Sequence, residues 1–251
     1  MPQGHEPLVL AIDDHPTNLK LVASQLRTLG VAARTADGGE DGLRLWRGGE
    51  FDAVITDCNM RDLDGYTLAA IIREFEQQGG HPRLPIIGWT ADAQPEVRAA
   101  CEAAGMDEVL VKPVALEQLR AVLAGCLPLS LPVAAAACAT GVSATAPPFD
   151  LNALGGLADQ DDVLAEFLAQ TALDLAALRR AVTGGDHLEA ASIVHRIRGA
   201  SLMINAHGLA RACDAFPAPG AQGMSRTRAL TLIEGETQRV ASHAAAHALT
   251  C

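Results

Sequence analysis

The sequence predicts two domains: an α/β domain with a doubly wound parallel sheet, followed by an all-α helical bundle. Three observations support this. In the first half, short β-rich runs alternate with amphipathic stretches, the pattern of a parallel sheet covered by helices on both faces. A segment rich in Ala, Pro, Ser and Thr follows. Beyond it the chain shows long helical patterns and no β-rich run.

The predicted strands of the first domain are five short runs, most of them rich in apolar and β-branched residues. They are Leu8–Ile12, Val31–Ala36, Phe51–Thr56, Pro85–Trp89 and Glu108–Val111.

Amphipathic stretches between and after these strands predict the helices of the same domain. Pro16 fits a first helical turn, and Gly30 and Gly105 fit helix ends. The predicted helices are Pro16–Leu29, Gly39–Trp46, Tyr66–Gln77, Pro95–Ala104 and Leu116–Leu123.

The composition changes between residues 128 and 148, where there is no charge and no periodic pattern. This stretch of about 20 residues predicts a linker. The expected first domain is therefore 1–127 and the expected second domain is 149–251. Helical patterns in the second domain predict an antiparallel bundle, and they cover about Asp161–Val182, His187–Asn205, Ala206–Ala215 and Arg226–Ala248.

Charge and apolar content exclude several classes of protein. The 30 acidic and 19 basic residues give a net charge of -11, which disfavours nucleic acid or an anionic membrane as a direct partner. The six cysteines form no C-x-x-C pair and predict free thiols. No apolar segment reaches the roughly 20 residues that a membrane span needs. We expect a cytoplasmic protein, or the cytoplasmic end of a membrane-bound one.

Charged residues end three of the predicted strands. Asp13 and Asp14 follow the first strand, Asp57 follows the third, and Lys112-Pro113 closes the fifth. The carboxyl ends of parallel strands meet at one edge, so these residues should converge. Three crowded carboxylates repel unless a divalent cation and an ammonium offset their charge, which predicts a phosphoryl-transfer pocket. Taken by itself, the aspartate pair would also fit a helix N-cap.

A second group of candidate residues lies on the second helix of the predicted bundle. At about 100° per residue, His195 points away from an apolar stripe and is expected to be exposed; by itself it would also fit a solvated surface residue. Arg198 and Gly199 lie one turn beyond, where a cation can contact a phosphoryl group and a glycine lets a partner approach. Leu188 and Leu202 share that face and fit either a docking patch or packing on a neighbouring helix. The stripe consists of Ala190, Ile193, Ile197, Ala200 and Ile204.

These motifs resemble two families. The first half is similar to two-component receiver domains, which have a flavodoxin-like sheet of order 2-1-3-4-5, and the second half is similar to histidine phosphotransfer (HPt) domains. The receiver motifs match Asp13-Asp14, Asp57, Thr90 and Lys112-Pro113, and the HPt pattern H-x-x-[KR]-G matches His195, Arg198 and Gly199. Their order resembles the C-terminal part of unorthodox hybrid sensor histidine kinases of the BvgS/EvgS type.

The resemblance implies a metal-dependent phosphoacceptor. Asp57 would be the nucleophile, Asp14 would bind Mg²⁺ directly, Asp13 would bind it largely through water, and the backbone carbonyl of Asn59 would complete the protein ligands. Mg²⁺ is the expected cofactor.

Other roles follow from the same resemblance. Lys112 would pair with one phosphoryl oxygen, and Thr90 would hydrogen-bond another, although by itself Thr90 would also fit a helix cap. The Lys112-Pro113 bond would be cis. The chain holds only two lysines, Lys20 and Lys112, which is consistent with a need for a compact ammonium at the second.

The sequence departs from the receiver pattern at two positions. Arg61 stands where receivers usually carry a proline, and Val109 stands where many carry Tyr or Phe as a rotating switch. Without that aromatic switch, the domain is better suited to passing a phosphoryl group onward than to driving an effector.

The expected function is that of a phosphorelay intermediate. An upstream sensor histidine kinase would phosphorylate Asp57, His195 would accept the group through an intrachain receiver–HPt contact, and a downstream response regulator would take it from His195. The chain shows no ATP-binding glycine boxes of a kinase core. Two alternatives stay open at this point: a phosphate sink with reverse flow, and a non-catalytic partner-binding module.

Overall fold

A computed structural model describes residues 6–127, 149–150, 160–218 and 224–248. The chain divides into two compact units, Met1–Ala137 and Cys138–Cys251. The predicted linker, 128–148, lies outside the described residues.

The first unit is built on a five-stranded parallel sheet with the order β2-β1-β3-β4-β5. This order confirms the predicted 2-1-3-4-5 topology. It places β1 and β3 side by side in the middle of the sheet, so their carboxyl ends are neighbours. The strands are β1 Leu8–Asp13, β2 Ala32–Asp37, β3 Ala53–Asp57, β4 Ile86–Thr90 and β5 Glu108–Val111.

Helices follow each of these strands. Pro16 begins the first, and the Nδ1 atom of His15 accepts a hydrogen bond from the backbone N–H of Thr17 as its N-cap. Asp64 caps the third through the N–H of Thr67. The helices are α1 Pro16–Thr28, α2 Gly39–Arg47, α3 Gly65–Gly79, α4 Pro95–Ala103 and α5 Leu116–Cys126.

The strand ends differ slightly from the prediction. β2, β3 and β4 each begin and end one or two residues later than their apolar runs. Backbone pairing with neighbouring strands decides where each strand ends. It extends β2, β3 and β4 to a polar residue at their carboxyl ends. Asp57 and Thr90 are therefore the last residues of β3 and β4, not the first residues after them.

The core of this unit surrounds the central strands. Leu10, Val54, Ile55, Ile86 and Ile87 are all buried, as expected for strands covered by helices on both faces. These close-packed strands hold the carboxyl edge of the sheet in a fixed position.

The described part of the second unit contains four helices: α6 Gln160–Gly184, α7 His187–Met203, α8 His207–Asp214 and α9 Arg226–Ala248. Asp186 caps α7 through the N–H of Glu189. The predicted apolar stripe of α7 is buried, and α7 packs against α6 and α8. This arrangement agrees with the predicted helical domain. Within the described ranges, no helix combines the length and the apolar character that crossing a membrane requires.

Candidate functional sites

Three carboxylates meet at the carboxyl edge of the sheet. Asp13 ends β1, Asp14 follows it, and Asp57 ends the adjacent β3. One carboxylate oxygen from each lies within 4.8 Å of the others, and all three residues are buried. Oxygen ligands at this spacing suit a hard divalent cation such as Mg²⁺.

Lys112 supplies the ammonium of this pocket. Its Nζ atom lies 2.7 Å from Asp13 Oδ2 and 3.3 Å from Asp57 Oδ2, and its side chain is 1% exposed. The same atom lies 5.0 Å from the centroid of the Trp89 ring. The Lys112-Pro113 peptide bond is cis, as predicted. The lysine thus contacts the carboxylates of both central strands.

The pocket changes the pKa values of Asp57 and Lys112. Burial raises the pKa of Asp57 to about 7; the charge of Lys112 opposes this rise, and the charges of Asp13 and Asp14 add to it. Burial lowers the pKa of Lys112, but the two carboxylates beside it more than offset this effect and hold the pKa above its usual value. Asp57 Oδ1 is buried and has no hydrogen-bond partner within the described residues. This oxygen is positioned to receive a cation or an electrophile.

Asp13 is held in place by the start of α1. Its Oδ1 accepts from the backbone N–H of His15 at 2.8 Å, and Asn18 Nδ2 donates to both carboxylate oxygens at 3.0 Å. Asn18 was not predicted to belong to the site. The available signal was its position in the first turn of α1, five residues after Asp13.

Arg61 also reaches the pocket. Its Nε atom donates to Asp14 Oδ2 at 3.2 Å, from a side chain that is 48% exposed. The sequence marked this residue only as a departure from the usual proline, so its contact with Asp14 was missed.

Thr90 and Asn59 lie near the same edge. Thr90 is buried at the end of β4, and its Oγ1 accepts a hydrogen bond from the backbone N–H of Asp92 at 3.1 Å. Asn59 is exposed in the loop after Asp57. Both residues therefore lie on segments that border the carboxylates.

His195 lies on α7 and is partly exposed, where an exposed side chain was predicted. The reason is that α7 packs against both α6 and α8, so a narrower arc of the helix faces solvent than a single apolar stripe implies. Next to it, Arg196 is buried in an ion pair with Asp174 of α6, which the sequence analysis missed.

The other predicted residues of α7 differ in their surroundings. Arg198 forms an ion pair with Asp214 at the end of α8, and Gly199 is buried. Leu188 is 77% exposed, and Leu202 is partly buried. Of the two leucines predicted on the His195 face of α7, only the N-terminal one, Leu188, is largely exposed to solvent.

Two protein-family models match the chain, one after the other. A model of the response regulator receiver domain matches residues 9–124, and a model of the Hpt domain matches residues 162–243. The chain contains a receiver domain followed by an Hpt domain. This pairing supports a role in phosphorelay signalling.

Curated relatives share the receiver and Hpt regions together. The chain is 35% identical to the virulence sensor protein BvgS of Bordetella pertussis, covering 92% of this chain and 20% of BvgS. It is 32% identical to the sensor protein EvgS of Escherichia coli, covering 78% of this chain and 16% of EvgS. The chain thus spans no more than about a fifth of the length of these relatives.

Solved structures are similar to about half of the chain. The chemotaxis protein CheY4 of Vibrio cholerae is 28% identical, with 49% of this chain and 100% of CheY4 covered and a TM-score of 0.45.

Proposed function

We propose that this chain is an intermediate in a His-Asp-His-Asp phosphorelay. Asp57 accepts a phosphoryl group from the phosphohistidine of an upstream sensor kinase, His195 accepts it from Asp57, and a downstream response regulator takes it from His195. The observation that carries this proposal is the buried Asp57 carboxylate beside Lys112, in a receiver domain that an Hpt domain follows.

The domain assignment belongs to this proposal. Residues 1–127 form the receiver domain, 128–148 the linker and 149–251 the HPt domain. All three transfers take place in the cytoplasm, in a free protein or at the cytoplasmic end of a membrane-bound sensor kinase. The four cysteines within the described residues are free thiols, as a reducing compartment favours.

In the first transfer, Asp57 is the nucleophile. Its Oδ1 attacks the phosphorus atom, an O–P bond forms, and the N–P bond of the donor phosphohistidine breaks as its electron pair returns to nitrogen. Lys112 is already within 3.3 Å of Asp57 and binds a phosphoryl oxygen. Thr90 hydrogen-bonds a second oxygen after its hydroxyl leaves the N–H of Asp92.

The residues present fit a divalent cation. Asp13, Asp14 and Asp57 would hold Mg²⁺ together with the backbone carbonyl of Asn59, and their clustered oxygens are the ligands that this ion prefers. When bound, Mg²⁺ would supply positive charge that keeps the carboxylates ionised and offsets the charge of the phosphoryl oxygens. Asn18 keeps the Asp13 carboxylate in one orientation toward that position.

In the second transfer, an imidazole nitrogen of His195 attacks the phosphorus atom. An N–P bond forms, the O–P bond to Asp57 breaks, and the Asp57 carboxylate is restored. Arg198 lies one turn from His195, and its guanidinium exchanges Asp214 for a phosphoryl oxygen. Gly199 leaves space on the same side for the receiver surface.

A transfer assay tests the order of these steps. The full chain, its Asp57→Asn variant and its His195→Gln variant are each mixed with a ³²P-labelled sensor kinase core and Mg²⁺. We expect label on both residues of the unmodified chain, on Asp57 only in His195→Gln, and on neither residue in Asp57→Asn. His187→Gln changes another histidine of α7 and should label like the unmodified chain.

Each alternative predicts a different outcome. Label on His195 in the Asp57→Asn protein would refute the proposed order. A phosphate sink would give a third result. Label would pass from a phosphorylated regulator through His195 to Asp57, and hydrolysis of the label on Asp57 would be faster than forward transfer. Failure of any label to reach Asp57 would favour a non-catalytic binding module.

A further inference from the structure

The loop between β3 and α3 brings a cation to the carboxylate cluster. Arg61 Nε donates to Asp14 Oδ2 at 3.2 Å, and the Asp14 side chain is 8% exposed. Lys112 contacts the other two carboxylates, Asp13 and Asp57. The pocket therefore receives positive charge from two directions. The positive charge beside Asp14 belongs to Arg61, a residue that the receiver pattern does not include.

The loop fixes the position of the Arg61 backbone. The next residue, Asp62, accepts hydrogen bonds from the backbone N–H groups of Gly39 at 3.1 Å and Glu40 at 2.9 Å, at the start of α2. At the far end of the loop, a Cβ atom on Gly65 would lie 2.2 Å from the carbonyl oxygen of Asp57, so the loop packs directly against the strand. Arg61 is thus held at the rim of the pocket, and only its side chain is free to swing outward.

The charge of Arg61 also acts on the neighbouring strand. Asp37 ends β2 and lies opposite Asp13 in the sheet. Burial raises the pKa of Asp37, and the charge of Arg61 opposes that rise. The guanidinium therefore contributes positive charge at the β2 side of the edge as well as at Asp14.

We propose that Arg61 competes with the divalent cation for Asp14 and so weakens cation binding to this receiver domain. The inference rests on the Mg²⁺ site proposed above. The Arg61 guanidinium occupies the carboxylate that is expected to bind the cation directly, and two cations beside one carboxylate repel each other. Because the arginine side chain is half exposed, it is released to water at low cost, and the competition lowers affinity without blocking the site.

A Mg²⁺ titration of the full chain tests this inference. Binding is followed through the fluorescence of Trp89, whose ring lies beside Lys112, in a Trp46→Phe background that removes the second tryptophan. We expect the Mg²⁺ dissociation constant of Arg61→Gln to be about threefold lower than that of the parent. The change is small because an exposed ion pair contributes little free energy, and Mg²⁺ no longer has to displace that pair in the variant. Arg61→Lys keeps the charge and should stay close to the parent.

A matched control separates local competition from net charge. Arg44→Gln makes the same change in net charge at an exposed arginine of α2 that pairs with Asp41. Its Mg²⁺ affinity should equal that of the parent. Added KCl should shrink the difference between Arg61→Gln and the parent, because salt screens exposed charges.

Two kinds of failure are distinguishable. Equal Mg²⁺ affinities for the parent and Arg61→Gln, or an equal gain in Arg44→Gln, would overturn the role of Arg61 and leave the Mg²⁺ site intact. Absence of a Mg²⁺ response in all of the variants would overturn the proposed Mg²⁺ site, and this inference with it.

Discussion

At the scale of single residues, the crowding of the carboxylate cluster opposes the stability of the fold. Asp57 is buried near two other carboxylates, with one ammonium among them. Burial and like charge both oppose its ionised form. Such a site is stable only because the surrounding fold holds it together, so neutralising one carboxylate should strengthen the fold.

The first prediction concerns the pH dependence of that effect. The pKa of Asp57 rises from 3.8 to about 7 on folding, so the folded chain binds this proton more tightly than the unfolded chain. Protonation of Asp57 therefore stabilises the fold. This contribution is complete below pH 3.8 and is lost as pH rises through 7. We expect Asp57→Asn to raise the free energy of unfolding at pH 8 by about 1 kcal/mol or more without Mg²⁺, and to have less effect at pH 5.

Urea unfolding followed by tryptophan fluorescence at both pH values checks this prediction, since both tryptophans lie in the receiver domain. Asp41→Asn, on the exposed surface of α2, is the control and should show no comparable pH dependence. A stabilisation by Asp57→Asn that is equal at pH 5 and pH 8 would contradict the assigned titration.

The second prediction concerns the choice of lysine at position 112. Its side chain is buried between Asp13 and Asp57, where a larger planar guanidinium displaces its neighbours. Lys112→Arg should lower the rate of label transfer to Asp57 by about tenfold or more, although the charge is kept. The other lysine supplies the control: Lys20 is exposed on α1, and Lys20→Arg should transfer label at the parent rate. Equal rates for the two variants would show that charge is sufficient at position 112.

At the scale of helices and strands, spacing and composition predicted most elements but not their exact ends. Apolar runs marked β3 and β4, yet backbone pairing carried each strand on to Asp57 and Thr90. Contacts between elements were harder to predict. Two such contacts were missed because each depends on how far a long side chain reaches across packed elements, and the periodicity of one segment does not contain that information. They are the ion pairs of Arg61 with Asp14 and of Arg196 with Asp174.

The third prediction concerns the pairing of α6 and α7. The Arg196–Asp174 ion pair is buried, with side chains 4% and 3% exposed, so removing Asp174 takes a close negative charge away from a buried guanidinium. Asp174→Ala should destabilise the bundle by about 3 kcal/mol. Circular dichroism at 222 nm during urea unfolding measures this, because neither tryptophan lies in the bundle.

A second ion pair of the same helix is the control. Asp214→Ala removes the partner of Arg198, whose side chain is partly exposed, and should cost no more than about 1 kcal/mol. A comparable loss in both variants would show that burial does not decide the strength of the Arg196–Asp174 pair.

At the scale of the whole molecule, one chain carries both a phosphoacceptor candidate and its proposed acceptor histidine. If the proposed linker of about 20 residues joins the two domains, it would raise the effective concentration of one domain near the other into the millimolar range. The fourth prediction is that transfer from Asp57 to His195 in the unmodified chain has a rate independent of protein concentration.

A mixture of variants supplies the comparison. When the Asp57→Asn and His195→Gln chains are combined, label must pass between molecules, and its rate should rise with protein concentration. Rapid-quench measurement over a hundredfold dilution distinguishes the two cases. A concentration-dependent rate in the unmodified chain would show that transfer occurs between chains.

The hydrogen bonds from Gly39 and Glu40 to Asp62 connect α2 to the loop that follows Asp57. Any displacement of that loop must either break both bonds or pull the first turn of α2 with it. The position of the first turn of α2 and the position of the loop beside the carboxylates therefore depend on each other, although α2 supplies no residue to the carboxylate cluster.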